Sequence, residues 1–313
     1  MDNKLVLGID IGGTNTVFGL CDYNGSISYE DSVVTKDFET PDLLVKEIHK
    51  KLSEANLIDN IIGIGIGAPN GNYFSGTIEF APNLKWKGVI PLSNLFHSVF
   101  NVPVELTNDA NAAAIGESLY GCAQGEKDFV TITLGTGLGS GVVVNDNMIY
   151  GHDGFAGEYG HIRVIPNGRA CGCGRNGCLE TYVSATGVVR SIDELNSTHR
   201  LNSSLLNIYN PTAVDVFTEA EKGDQFAMEI VDFTANILGD ALADFACFSS
   251  PKLYVLFGGI AQNGEPFKEK VKAKMESSIL NIYKNKIEVK ISTLHDKNAA
   301  VLGAASLVWK TII

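Results

Sequence analysis

Apolar residues alternate with polar ones, or gather in short runs, over Lys4 to Ile9, Thr16 to Asp22 and Ser26 to Val34. Gly-rich and Asn24-Gly25 turns separate these runs, which predicts an antiparallel meander. The period then changes. Leu44, Ile48, Leu52 and Ala55 keep helical spacing after Thr40-Pro41, where Thr40 reads as the N-cap and Pro41 as the first helical residue. Ile61 to Gly67 and Val102 to Leu106 read as strands, and an Ala-rich helix follows from Asp109 to Tyr120, closed by Gly121. Further on, helices are predicted over Ala213 to Gly223, Phe226 to Phe248 and Asn298 to Lys310, with strands over Leu253 to Phe257 and Ile287 to Ser292. The alternation predicts an α/β chain.

The opening recurs. With an offset of 122 residues, Gly13-Thr14, Gly19, Asn24-Gly25 and Ile27 fall on Gly135-Thr136, Gly141, Asp146-Asn147 and Ile149. Strand, Gly-Thr turn, strand, tight turn, strand therefore appears twice, which an internal duplication explains. Two like domains facing each other across a cleft would present two Gly-Thr turns to one ligand. The polar stretch Asn196 to Ser204 is expected to be a mobile surface loop.

A chain of 313 residues with 45% apolar content can bury two cores. No run reaches the length of a membrane span and no signal peptide is recognisable, so a cytoplasmic location is expected. The net charge of −12 argues against an extended nucleic-acid or anionic-membrane surface. Three of the six cysteines, Cys21, Cys122 and Cys247, stand in apolar surroundings and read as buried small hydrophobes.

The other three belong to a different chemistry. His161, Cys171, Cys173 and Cys178 put four soft ligands into eighteen positions, with glycines between them. Cysteines one residue apart do not readily form a disulfide with each other, whereas four such ligands suit a closed, structural zinc site. One ring nitrogen of His161 would bind the metal while the other addresses a ligand hydroxyl. Glu158 and Glu180 flank the cluster and can accept from neighbouring hydroxyls, which suits a polyol.

Asp10, Gly12, Gly13, Thr14 and Asn15 form a strand-to-strand turn whose glycines allow close approach to phosphate, with Asp10 able to hold Mg²⁺, usually through water. Leu134 to Gly141 repeats that chemistry around Thr136 and Gly137, and Gly258-Gly259 after a later strand offers an adenosine platform. Neither turn leads into a helix, which excludes the dinucleotide fingerprint, and no Walker sequence occurs. Asn108-Asp109 sits where a strand meets a helix, so Asp109 is expected to be exposed, kept ionised by the helix dipole, and able to deprotonate a hydroxyl.

These residues together resemble the ROK family of sugar kinases and repressors, on the two-domain, actin-like ATPase fold (ribonuclease H-like, hexokinase-type). The likeness spans nearly the whole chain, and the cysteine block in register with the glycine motifs is its most specific part. It implies that Asp109 is the general base, and that Asn108, Glu158, His161 and Glu180 bind sugar hydroxyls. Thr14, Asn15, Thr136 and Gly137 would bind ATP phosphates, Asp10 would serve Mg²⁺, and Pro69-Asn70-Gly71 and Ala81-Pro82-Asn83 would close the sugar pocket. Its last helix would return to the first domain, giving 1–120 plus 298–313 and 121–297. The implied activity is phosphorylation of a hexose at its 6-hydroxyl by ATP, glucose first and N-acetylglucosamine or N-acetylmannosamine second, by a homo-oligomer (dimer or tetramer). A repressor would carry a DNA-binding helix-turn-helix before its first strand; here that strand begins at Lys4, so a kinase is expected.

Overall fold

The computed structural model describes residues 4–196, 203–294 and 298–312. Strands β1 (Leu5–Ile11), β2 (Asn15–Cys21) and β3 (Ile27–Val34) form the expected antiparallel meander. Burial alternates along β3, as an edge strand requires, whereas β1 is almost wholly buried. Helix α1 (Pro41–Glu54) buries Leu44, Val45, Ile48 and Leu52 on one face. Thr40 does occupy its N-cap, with extended backbone, but its side chain makes no capping bond. Strand β4 (Ile61–Gly67) lies parallel to β1.

A small antiparallel sheet follows, β5 (Gly71–Asn72), β6 (Thr77–Glu79) and β7 (Val89–Ile90), and then helix α2 (Leu92–Phe100). The sequence reading named neither, although Leu92, Phe96 and Phe100 keep helical spacing and are all buried. Strand β8 (Val104–Thr107) pairs parallel to β4 and runs into helix α3 (Asp109–Tyr120). The first large sheet thus has the order β3-β2-β1-β4-β8.

The second begins with β9 (Phe129–Leu134), β10 (Leu138–Val144) and the two-residue β11 (Asn147–Met148). Helices α4 (Glu180–Val183), α5 (Ala185–Asn196), α6 (Ala213–Glu221) and α7 (Gln225–Ser249) precede β12 (Leu253–Phe257), α8 (Gly264–Ser278) and β13 (Glu288–Ile291). The sheet order is β11-β10-β9-β12-β13, with β9 antiparallel to β10 and parallel to β12, and β12 parallel to β13. Helix α9 (Ala299–Ile312) packs on β1, β4 and α3.

The chain divides into two compact units, one of Met1–Gly125, Met148–Gly157 and Asp296–Ile313, the other of Glu126–Asn147 and Glu158–His295. Residues 148–157 therefore lie with the first unit, where the sequence reading gave them to the second. The third strand that the repeat predicts is present only as the two-residue β11, and polar and aromatic contacts take the residues after it. Asn72 Nδ2 donates to the Asp153 carbonyl at 2.8 Å, and the rings of Tyr73 and Tyr150 stack with centroids 4.2 Å apart. The expected loop at Asn196 to Ser204 falls outside the described residues over 197–202. Cys21 is buried as expected, Cys122 is half-buried, and Cys247 is exposed, because it lies on the outer face near the end of α7.

Within the first unit, the core of β1, β4, α1 and α2 is separate from a second cluster in which Val301, Leu302, Ala305 and Val308 of α9 meet Val6. Backbone approach there is close. A Cβ on Gly65 would stand 1.8 Å from the Ala304 carbonyl oxygen, and one on Gly8 2.1 Å from that of Val301. Gly65→Ala should cost about 3 kcal/mol or more and lower the melting temperature by roughly 5–10 °C, measured by thermal unfolding. An unchanged midpoint would mean that α9 does not sit on this sheet.

Candidate active site

In the first unit the candidate residues collect at the C-terminal ends of the parallel strands β1, β4 and β8, the edge at which open α/β sheets bind ligands. Gly12 N–H donates to the Asn15 carbonyl at 2.9 Å, which closes the turn between β1 and β2 and leaves Thr14 and Asn15 exposed. Asn83 touches this turn, since a Cβ on Gly13 would meet the Asn83 backbone oxygen at 2.7 Å. Asn70 holds a left-handed backbone (φ 51°), and its side chain donates to the Glu79 carbonyl.

Asn108 is the N-cap of α3. Its Oδ1 accepts from Asn111 N–H at 2.7 Å, so its NH₂ group is the part that can address a ligand. Asp109 Oδ1 accepts from Ala110 N–H at 2.9 Å. The residue keeps surface access, as expected, but the helix end does not set the direction of its pKa. Loss of solvent outweighs the backbone N–H groups and raises the Asp109 pKa. Asp10 behaves alike: burial first, and the charge of Asp109 second, push its pKa up to about 7. Asp10 pairs in register with Gly67, and a Cβ there would lie 3.6 Å from Asp109 Cα and 3.8 Å from Asp10 Oδ1.

In the second unit the turn after β9 and the Gly258-Gly259 turn after β12 are neighbours. A Cβ on Gly258 (φ 97°) would be 2.7 Å from the Leu134 carbonyl oxygen, and Ile260 N–H donates to that oxygen. Gly135 and Thr136 are exposed. Glu180, at the first position of α4, accepts from Leu138 N–H through Oε2 at 3.0 Å. A Cβ on Gly137 would stand 2.5 Å from the same oxygen, so a larger residue there would push the Glu180 carboxylate aside.

His161, Cys171, Cys173 and Cys178 come together, with their ligand atoms all within 4.8 Å of one another. Cys171 Sγ is 3.6 Å from His161 Nδ1, and the Cys173 and Cys178 sulfurs are 3.6 Å apart and unbonded. The other ring nitrogen, Nε2, faces Glu158 Oε2 at 4.0 Å. The sequence reading had not identified what holds the Gly135-Thr136-Gly137 turn. Ala185 N–H donates to the Gly135 carbonyl and Thr186 Oγ1 to that of Thr136, each at 2.9 Å. Ser184 Oγ accepts from Gly187 N–H, so Ser184-Ala-Thr-Gly187 was readable as a helix start directly after the cysteine block.

The sequence pattern of the ROK family matches residues 6–311. The chain belongs to the ROK family. Among its relatives, the glucokinase of Halalkalibacterium halodurans is 37% identical, over 98% of this chain and 96% of the relative. A ROK-family glucokinase from Streptomyces griseus, solved in complex with glucose and AMPPNP, is 32% identical with a TM-score of 0.80, covering 97% of this chain and 98% of that one. The family also includes regulators, and the xylose repressor of Caldicellulosiruptor bescii is 31% identical over 97% of this chain and 77% of its own. Among the described residues no helix is long and apolar enough to cross a membrane.

The raised pKa of Asp10 has a sign that can be checked. A carboxyl with a raised folded pKa takes up a proton on folding, so its stabilising contribution is complete below about 3.8 and is lost as the pH rises through about 7. In metal-free protein, Asp10→Asn should therefore gain roughly 2–3 kcal/mol on the wild type between pH 5 and pH 8, read from urea unfolding. Parallel pH curves for the two proteins would contradict the assignment.

Proposed function

We propose that this protein transfers the γ-phosphoryl group of ATP to the 6-hydroxyl of glucose, with Asp109 as general base. The observation that carries the reading is the Asp109 carboxyl at the strand-to-helix junction, exposed and close to Asp10, in a chain that matches glucokinases over nearly their full length. A base whose pKa lies above the usual carboxylate range takes a hydroxyl proton more readily than an ordinary aspartate does. As the sugar oxygen bonds to the γ-phosphorus, the bond from phosphorus to the β–γ bridging oxygen breaks. Asp109 takes the hydroxyl proton, and ADP leaves.

Asn83, Asn108, Glu158, His161 and Glu180 read the remaining hydroxyls in this proposal. Polar groups built to pair a hydroxyl discriminate against analogues that leave them unpaired. Gly12, Gly13, Thr14, Asn15, Thr136 and Gly137 would bind the phosphates, and Gly258 and Gly259 the adenosine. The common sheet order and the Gly-Thr turns support descent of the two units from one duplicated segment. ATP as donor, together with free thiols, fits a cytoplasmic setting.

Two metals belong to the same proposal. Mg²⁺ would sit near Asp10 and neutralise phosphate charge; two close carboxylates with raised pKa values fit a divalent cation. For zinc the fit is geometric. Tetrahedral bonds of about 2.3 Å place thiolate sulfurs about 3.8 Å apart, and the Cys173–Cys178 separation is 3.6 Å. His161 Nδ1 would complete the set and leave Nε2 on the side of Glu158. With four protein ligands, zinc would orient the loop without activating water.

Asp109→Asn should lower turnover about 10²–10⁴-fold while leaving glucose affinity nearly unchanged, measured by coupled assay and calorimetry. Near wild-type turnover in the folded variant would remove Asp109 from the mechanism. The purified enzyme should carry one zinc per chain, and Cys173→Ser should lose both the metal and glucose affinity. Active enzyme without zinc by metal analysis would end the zinc proposal.

A further inference from the structure

Arg169, two residues before Cys171, is the one described cation whose side chain is almost wholly buried: 3% exposed, against at least 14% for every other lysine or arginine in a described ion pair. Its Nη1 donates to the carbonyls of Thr181 and Gly187 at 2.7 and 2.9 Å. Nη2 reaches Ser191 Oγ at 2.9 Å, and Nε lies 3.0 and 2.9 Å from the two oxygens of Glu194. The guanidinium lies over the Tyr182 ring, 4.4 Å from its centroid, and Tyr182 Oη accepts from Arg169 N–H. Thr181 belongs to α4, whereas Gly187, Ser191 and Glu194 belong to α5. One side chain thus spans the break between the two helices at Ser184.

From the same break, bonds run in the other direction. Glu180 holds Leu138 N–H, Ala185 N–H holds the Gly135 carbonyl, and Thr186 Oγ1 holds the Thr136 carbonyl. The angle between α4 and α5 therefore decides where the glutamate and the glycine turn stand relative to each other. Stability alone does not call for an arginine in this place. Removing a guanidinium from water is costly, and replacing a buried ion pair by well-packed apolar side chains is often neutral or stabilising. What the planar fork adds is geometry, because it fixes several acceptors at once.

We propose that Arg169 is a positioning residue, which locks the α4–α5 junction so that Glu180 and the Gly135–Gly137 turn are held in one fixed arrangement. This rests on the reading above that Glu180 binds sugar and that Thr136 and Gly137 bind phosphate. Sugar and nucleotide affinity then share a single mechanical support in the second unit. Neither depends on Arg169 by direct contact.

The test uses zinc-loaded, full-length Arg169→Lys, and Glu194→Gln as a milder variant that keeps the buried arginine. Lysine can reach only some of the acceptors. In Arg169→Lys the KM for glucose and the KM for ATP should rise together, about 5–50-fold, while kcat falls less and zinc content is kept. Hydrogen exchange in a peptide spanning Leu134 to Ser140 should quicken. Glu194→Gln should show the same pattern more weakly, and it carries the test if the lysine variant does not fold. Merely structural damage would lower kcat with the folded fraction and leave both KM values in place. That outcome, movement of one KM alone, or unchanged exchange at Leu138 would overturn the proposal. If the wild type fails to phosphorylate glucose, the functional reading falls, and exchange at Leu138 still decides the role of Arg169.

Discussion

Two acidic residues close to each other, Asp10 and Asp109, are the constraint around which the first unit is organised. The charge of Asp109 raises the cost of ionising Asp10, and the fold accepts this because both sit at the ends of parallel strands whose positions are fixed elsewhere. Gly67 has no side chain at the point where Asp10 Oδ1 and Asp109 Cα approach. Gly8 and Gly65 let the backbone of α9 lie directly on β1 and β4, which holds the strands beneath those carboxyls. A site that spends stability in this way is expected where charge must be handled with little solvent.

The second unit solves a different problem with a similar economy. Its glycine turn has too few side chains to fix itself, so it borrows bonds from the start of α4 and α5. The cysteine loop precedes those helices directly. Within the loop, Gly177 N–H bonds the Arg169 carbonyl and Cys171 N–H bonds that of Arg175, a tight hairpin that brings distant ligands together. Cysteine loop, Glu180 and the Gly135–Gly137 turn are therefore steps of one chain of contacts rather than separate motifs.

Much of this was legible from residue order. Period-two runs located β1 to β3, helical spacing located α1, and the 122-residue offset anticipated that β9 and β10 would repeat the β1 to β2 turn. The cysteine spacing named a cluster that the structure brings together. Illegible were the effects of distance in the sequence. Asp109 looks like a helix-start carboxylate, and only its surroundings reverse the direction of its pKa. The offset also continues into 148–157, but Asn72 and Tyr73 capture that segment, a contact no local pattern encodes. Helix α8, with Phe267, Val271 and Met275 buried on one face, was within reach of the same periodicity argument and is not among the predicted helices.

The central claim is that this polar site serves a hexose with a free 2-hydroxyl and ATP as donor. The most direct measurement is ATP-dependent phosphorylation of glucose, mannose, N-acetylglucosamine and N-acetylmannosamine under matched conditions, with the phosphorylated carbon identified by nuclear magnetic resonance. The account predicts glucose 6-phosphate as product and the highest kcat/KM for glucose. A higher kcat/KM for an N-acetylhexosamine, or phosphate on any carbon but the sixth, would contradict it.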